Sequence, residues 1–272
     1  MSKKPPFENH PLFEINGPLA SITWNRPDKA NAMHPDQNLL MRDFLYEIER
    51  MPEVRCLLIK GNGKHFMAGG DLETILDFDK KTPAERAREG ETPIIEFVHA
   101  MRVLQRLKKP VVASVQGGVA GAAVGLICGC DLVIAAESSF FWAAHILHGG
   151  SNDGLVSWFL PRHIGMRKAL EMALLGERIY APEAKQLGLI NFVVPDADLE
   201  AETKKLVDRL CKGPTLGYGL IKELMYASLN NTMETHGMME AERYGGIALH
   251  TEDVKDGLKA FFERRPPNFQ GK

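Results

Sequence analysis

Long apolar runs are missing from this 272-residue sequence. No stretch reaches the roughly 18 apolar residues that a membrane-spanning helix needs. The most apolar region, residues 111–136, is interrupted by glycines and by Asp131. The opening residues, MSKKPPFENHP, lack the apolar segment of a signal peptide. We therefore expect a cytoplasmic protein that makes no membrane contact.

An excess of charge of one sign is also missing. Lys and Arg number 33 and Asp and Glu number 35, which gives a formal net charge of −2. The basic runs, Lys80-Lys81 and Lys108-Lys109, are short and are typical of solvated surface. A nucleic-acid-binding protein normally carries a basic face or arm, so we expect no nucleic-acid partner.

Cysteine is scarce, and its spacing excludes the common cysteine motifs. The sequence has four, at Cys56, Cys128, Cys130 and Cys211, and none forms a CxxC pair. This usage predicts reduced, buried thiols and no metal site. The dinucleotide fingerprint GxGxxG is absent as well, although the glycines at 117–121 resemble part of it.

The order of predicted elements indicates an α/β protein with a helical end. Strands alternate with helices to about residue 195, and nearly everything after that is helical. We therefore predict a core domain at 1–198 that carries the active site and a helical region at 199–272. Residues 80–92 lack apolar periodicity, which predicts a surface loop or short helix before a helix at 93–107. Residues 64–67 predict a short strand.

Two turns rich in glycine and alanine each follow a predicted strand. They read HFMAGGDL at residues 65–72 and QGGVAGAA at residues 116–123. Small side chains let a ligand approach the backbone, and a turn that opens a helix leaves N–H groups unpaired. Two such turns can stabilise a developing oxyanion, at roughly 3 kcal/mol per donor. The alternative is that the small residues serve tight packing of strand against helix.

These turns, with motifs spread from about residue 10 to the C-terminus, resemble the crotonase superfamily (enoyl-CoA hydratase/isomerase family). The second turn continues into Cys130-Asp131 followed by an apolar run that ends in two alanines. The other matching segments are WNRP (24–27) with Asn31-Ala32, SWFLPR (157–162), GE (176–177) with APEA (181–184), GLIN (188–191) and AFFERR (260–265).

The resemblance implies an α/β fold of repeated ββα units, with a C-terminal helical region that forms a homotrimer or a hexamer built as a dimer of trimers. It implies an acyl-CoA thioester as substrate, with coenzyme A as part of that substrate and no separate cofactor. It implies that the N–H groups of Ala68 and Ala122 form the oxyanion hole. The positions it implies for substrate and CoA binding are Arg26, Lys29, Ala30, Ala68, Gly70, Asp71, Leu72, Gly118, Gly121 and Arg264.

The sequence departs from the hydratases of this family at two positions. Those enzymes position water with two glutamates, and the matching positions here are Gly125 and His145. In isomerase-like relatives an aspartate ahead of the SWFLPR-like helix moves a proton, and Asp153 falls on that aspartate. One carboxylate is sufficient for a 1,3-proton shift. The alternative for Asp153 is a helix N-cap.

Several functions remain open at this point. An enoyl-CoA isomerase or hydratase of fatty acid metabolism would use Asp153, with His145 as a second proton carrier. A hydrolase of a C–C or thioester bond would use His145 to activate water, with His148 as a weaker candidate. A non-catalytic CoA-binding scaffold is the third. Trp142 and Trp158 either line the acyl pocket or pack in the core, and residues 78–93 are expected to shape the acyl end.

Overall fold

The computed structural model describes residues 11–76 and 80–272. Strands and helices alternate through its first part. The strands are β1 (Leu12–Asn16), β2 (Leu19–Trp24), β3 (Cys56–Gly61), β4 (Val111–Val115), β5 (Gly118–Ala120), β6 (Leu132–Ala136), β7 (Phe140–Trp142), β8 (Arg178–Tyr180) and β9 (Phe192–Val194). The α-helices are α1 (Pro35–Arg50), α2 (Glu73–Leu76), α3 (Pro83–Arg106), α4 (Ala122–Cys128), α5 (Val156–Leu175), α6 (Ala181–Gln186), α7 (Leu199–Cys211), α8 (Thr215–Ala227), α9 (Met233–Ala241) and α10 (Glu252–Glu263).

Two sheets organise the α/β part. The larger has the order β1-β2-β3-β4-β6-β9, in which β1 pairs with β2 antiparallel and the other neighbours are parallel. All five residues of β4 are buried, as expected for a central parallel strand covered on both faces. The smaller sheet has the order β5-β7-β8. The prediction of an α/β fold with a helical C-terminal region is confirmed.

The core has a main part and a smaller one. Trp24, Phe66 and Phe141 are the bulkiest of the fully buried side chains in the main cluster. The smaller cluster joins strand residues such as Leu58 to Val207 of α7. Each fully buried large apolar side chain stabilises the fold by roughly 1.5–3 kcal/mol. None of the helices in the described ranges combines the length and apolar character that a bilayer crossing requires.

Helix α3 corrects the prediction for residues 80–92, because it begins at Pro83 and runs through 24 residues. Its start is defined by a capping box: the Thr82 side chain accepts from the Glu85 N–H, and the Glu85 carboxylate accepts from the Thr82 N–H. Its buried residues all lie from Phe97 onward. The first half therefore has no apolar stripe, which is why periodicity did not predict it.

Smaller corrections concern segment ends. Residues 64–67 are not a strand, since Met67 makes a single bridge to Val119. Strand β8 was not predicted. The sequence of residues 71–79 also predicts a helix. The structure describes α2 there, and residues 77–79 lie outside the described residues, as does the opening segment. The sequence predicts one helix over 232–249. The structure instead has α9, a π-helical turn at Glu242–Ile247 and a 3₁₀ turn at Ala248–His250.

Candidate active site

The two glycine-alanine turns lie against each other. Gly69 has a φ of +91°, and a Cβ added there would lie 2.8 Å from the Ala120 carbonyl oxygen. Gly121, with φ +56°, would place a Cβ 3.7 Å from the Gly69 Cα. Both conformations favour glycine, and at Gly69 the lack of space for a Cβ does so as well. The turns after β3 and β5 are therefore held in backbone contact.

Hydrogen bonds within the protein determine which backbone N–H groups are available to a ligand. The Ala68 N–H donates to the Ala30 carbonyl at 2.9 Å, so the prediction that Ala68 supplies an oxyanion donor is wrong. Within the described chain, the N–H groups of Gly70 and Ala122 donate to no protein acceptor. Ala122 is the first residue of α4, where intrahelical partners are lacking. Gly70 and Ala122, one in each turn, are thus two candidate donors.

Both of these residues line a cavity of about 730 Å³. Asp153 and Gly154 also line it, together with residues of α1 and α3. The first half of α3 contributes polar side chains, among them Arg88, Glu89 and Thr92. The apolar part of the lining includes Met33, Pro35, Pro93, Ile94 and Phe97.

Asp153 is held next to the second turn by a close backbone approach. Gly154 has φ +60°, and a Cβ there would lie 2.5 Å from the Ala122 Cβ. The Asp153 side chain keeps 39% of its surface exposed. The N-cap of α5 is Leu155, and no side chain caps that end within the described residues, so the capping role considered for Asp153 is not observed.

His145 lies behind the carboxylate. Its Nε2 is 2.7 Å from Asp153 Oδ1, and its Nδ1 is 3.1 Å from the Asn152 amide nitrogen. An amide nitrogen can only donate, so Nδ1 accepts, and Nε2–H donates to Asp153. His145 is 6% exposed, and among the described residues it is not part of the cavity wall. The structure thus joins the two predicted catalytic side chains, with Asp153 in front.

Gly125 occupies one of the positions that hold a glutamate in the hydratases. A Cβ at Gly125 would lie 1.7 Å from the Gly154 carbonyl oxygen. Contacts below 3.0 Å are not tolerated without movement of the backbone. The loop that carries Asp153 therefore fills the space that a side chain at 125 would need.

The predicted CoA-binding positions separate into two groups. Gly70 and Asp71 line the cavity, and next to them Leu72 is 52% exposed. Arg26 is committed internally, with Nη2 2.9 Å from Asp71 Oδ2 and Nη1 donating to the Ala32 carbonyl at 2.8 Å. Asp71 is 7% exposed, so this ion pair fixes the first turn.

The remaining predicted positions already have hydrogen-bond or ion-pair partners within the protein. Lys29 forms an exposed ion pair with Glu73 at 2.5 Å, and the Ala30 carbonyl accepts from Ala68. The Gly118 N–H donates to His65 Nδ1, and the Gly121 N–H donates to the Trp142 carbonyl. The N–H groups of Gly118 and Gly121 are therefore not available to a ligand, and these glycines provide space only.

Three further predicted positions lie outside the cavity wall formed by the described residues. Arg264 ends α10 in the left-handed conformation. Trp142 donates its indole N–H to the Gly176 carbonyl at 2.7 Å, and Trp158 stacks on the Arg162 guanidinium. Neither tryptophan lines the cavity, and Trp158, which is 41% exposed, does not pack in the core either. Within the described ranges, acidic, histidine and cysteine side chains form no cluster of three suited to a metal ion.

Sequence comparison defines the class of protein. The profile of the Enoyl-CoA hydratase/isomerase family matches residues 14–272, and the chain belongs to that family. The resemblance to the crotonase superfamily is thereby confirmed.

Individual relatives cover almost the whole chain. A 1,2-epoxyphenylacetyl-CoA isomerase of Escherichia coli is 34% identical, over 96% of this chain and 98% of the relative. A trans-2-decenoyl-[acyl-carrier-protein] isomerase of Streptococcus mutans is 31% identical, over 96% and 98%. The crystal structure of an enoyl-CoA hydratase from Polaromonas sp. JS666 superimposes with a TM-score of 0.88 at 29% identity, over 95% of this chain and 99% of that one.

Proposed function

We propose that this protein is an enoyl-CoA isomerase in which Asp153 carries the proton. One observation supports this above the others: Asp153 lines the same cavity as Gly70 and Ala122, whose N–H groups donate to no acceptor among the described residues. A carboxylate beside an oxyanion site is the minimum equipment for a proton shift along an acyl thioester.

The reaction follows from that arrangement. The thioester carbonyl oxygen accepts hydrogen bonds from Gly70 and Ala122, which makes the α-carbon acidic. The Asp153 carboxylate removes an α-proton, and the electron pair of the C–H bond moves onto the carbonyl oxygen as an enolate conjugated with the β,γ double bond. Protonated Asp153 returns the proton to the γ-carbon, and the double bond becomes α,β. No proton or electron is gained or lost overall.

His145 positions the carboxylate in this proposal. Its Nε2–H holds Asp153 Oδ1, which leaves Oδ2 for the substrate. Because both ring nitrogens are engaged within the protein, His145 lacks the free nitrogen that a water-activating base would need. This weakens the hydrolase alternative.

The space at Gly125 supports isomerisation over two-glutamate hydration. The Gly154 carbonyl lies where a side chain at 125 would begin, and His145 replaces the second glutamate. The names of the relatives include both isomerases and hydratases. The preference for an isomerase in this proposal therefore depends on the cavity geometry.

The decisive experiment replaces the proton carrier. Asp153→Asn keeps an oxygen that accepts from His145 but removes the base, and we expect turnover of a 3-enoyl-CoA to fall by about 10²–10⁴-fold. Thioester affinity should remain within a few-fold of the wild type in calorimetric titration. Asp43→Asn, on the exposed side of α1, is the matched control. Unchanged turnover in Asp153→Asn would exclude the assigned role.

We further propose that the chain forms a homotrimer, alone or paired as a hexamer. The C-terminal helical region exposes large apolar side chains, among them Met233 at 82%, Phe261 at 77% and Phe262 at 80%. Burial of such side chains between subunits is favourable by about 25 cal/mol per Å² of apolar surface.

A further inference from the structure

Asn152 lies against the ring nitrogen of His145 that does not face Asp153. Its Nδ2 is 3.1 Å from His145 Nδ1, and His145 Nε2 is 2.7 Å from Asp153 Oδ1. Asn152 and Asp153 are consecutive in the chain, so one short loop supplies the partners of both ring nitrogens. The ring is also well shielded from water, because His145 is 6% exposed. Its protonation is therefore set by these two side chains.

The chemistry of the three groups determines where the protons lie. An amide nitrogen donates and does not accept, so Nδ1 of His145 is the bare nitrogen. A neutral imidazole carries one N–H, which is then on Nε2 and is donated to the Asp153 carboxylate. This is the reverse of a Ser-His-Asp triad, in which a carboxylate accepts from Nδ1–H and Nε2 acts as the base. His145 is therefore a donor.

The opposite orientation of the Asn152 amide does not suit a base at Asp153. With the amide oxygen toward Nδ1, the ring would carry its proton on that nitrogen. Nε2 would then place a lone pair 2.7 Å from the ionised carboxylate, or a second proton would make the ring an imidazolium. A cation beside a carboxylate stabilises its ionised form, which makes it a weaker base. The donating amide gives Asp153 a neutral partner instead.

We propose that Asn152 is a positioning residue that keeps His145 in the neutral Nε2–H form throughout turnover. This inference rests on the proposed function, because it assigns the proton transfer to Asp153. While Nε2–H occupies Oδ1, the proton taken from the α-carbon goes onto Oδ2, and it leaves from Oδ2 to the γ-carbon. The ring and the amide neither gain nor lose a proton in this cycle.

The first measurement is the protonation of the ring in the wild-type protein. NMR of protein with ¹⁵N-labelled histidine distinguishes bare from protonated ring nitrogens, and His145→Gln identifies the signals of His145. We expect a bare Nδ1 and a protonated Nε2 at neutral pH. In Asn152→Asp, a carboxylate on each side should leave both nitrogens protonated. A protonated Nδ1 in the wild type would show the inference to be wrong, and this result needs no Asn152 variant.

Kinetics with a 3-enoyl-CoA separates this role from a purely structural one. Asn152→Asp, of the same shape, should lower kcat about tenfold and leave KM within a few-fold, a smaller loss than removal of the base. Ser151→Asp is the matched control, because it adds the same charge at the exposed neighbouring residue, and it should keep the wild-type kcat. Added to His145→Gln, whose amide keeps a donor for Asp153 but cannot titrate, Asn152→Asp should change kcat by less than about twofold.

The outcomes separate the two proposals. If Asp153→Asn is inactive and Asn152→Asp turns over at the wild-type rate, the inference about Asn152 is wrong and the isomerase assignment stands. An equal loss in the His145→Gln background, or in Ser151→Asp, would assign the effect to the loop or to its charge and would also overturn the inference. If Asp153→Asn keeps full turnover, the proposed function fails and the inference fails with it.

Discussion

Ala68 and Gly70 lie two residues apart in the first turn, and their N–H groups have different partners. The Ala68 N–H donates to Ala30 at 2.9 Å, whereas Gly70 lines the cavity and donates to no acceptor among the described residues. Sequence predicted the turn and its chemistry but selected the wrong donor. Both amides lie in the same glycine-alanine turn, so the sequence around them does not distinguish them. They differ because the chain near residue 30 places a carbonyl acceptor beside the Ala68 N–H only.

The Gly70 donor can be tested by removing its backbone N–H. Gly70→Pro removes the N–H, and we expect kcat/KM to fall by about 10²–10³-fold, as for the loss of one oxyanion donor. Gly70→Ala is the matched control, since it keeps the N–H and a Cβ there has nothing within 4 Å. Steady-state kinetics of both variants measures the difference. Equal activity in the two would show that the Gly70 amide takes no part.

The residues around Asp153 show what sequence could and could not predict. Asp153 and His145 were both identified, and they lie 2.7 Å apart. Asn152 was missed, because an asparagine gives no signal by itself. Its role depends on the distance to the His145 ring, which is 7 residues away in the chain.

At the scale of elements, His65 lies at the start of the first turn and joins the segment after β3 to β5. The Gly118 N–H donates to His65 Nδ1 at 3.0 Å, so this nitrogen must be unprotonated. Burial, followed by repulsion from Lys64, lowers the pKa of His65 below its ordinary value of 6.5. The neutral histidine is therefore part of the connection between the two sheets.

This connection predicts a pH dependence of stability. Below pH 6.5 the unfolded chain binds a proton at His65 that the folded chain resists, so the stabilisation is present above pH 6.5 and declines as pH falls toward the lower folded pKa. We expect the urea midpoint to fall between pH 7.5 and 5.5, and to fall less in His65→Asn, whose amide oxygen keeps an acceptor that does not titrate.

A control variant at an exposed histidine separates this effect from a general sensitivity of the protein to acid. His250 lies exposed in the 3₁₀ turn at Ala248–His250, and His250→Asn should follow the wild-type pH profile. If His65→Asn also follows that profile, the His65 contact does not determine the acid limb. His163, whose pKa burial also lowers, contributes in the same direction and accounts for a residual dependence.

Element boundaries were predicted well where burial was periodic and poorly where it was not. The sequence predicts strands over 111–115 and 132–136, and β4 and β6 have these bounds because both segments are mostly apolar and mostly buried. The start of α3 was missed because its first half carries no core residue, although the sequence from Thr82 to Glu85 holds a capping box. Strand β8 was missed because three residues are too few for a period to be recognised.

At the scale of the whole molecule, we expect the proposed oligomer to bury the large apolar side chains that the C-terminal helices expose. Light scattering after size exclusion should give three or six times the 30.3 kDa mass of the chain. Phe261→Asp should reduce that mass by placing a charge in an apolar contact. Lys259→Asp, on the same helix α10, is the control and should keep the oligomer. A wild-type mass of 30.3 kDa at micromolar concentration would contradict the proposal.

The two halves of α3 bear on how relatives of this protein diverge. Residues before Phe97 contribute to the cavity but supply no side chain to the core within the described structure, whereas Phe97 and Met101 are buried. Replacement in the first half can therefore change the acyl group that is accepted with little loss of folding free energy, because surface changes seldom exceed 0.5 kcal/mol. Natural variation in substrate range is expected to accumulate in that half, while the second half stays apolar.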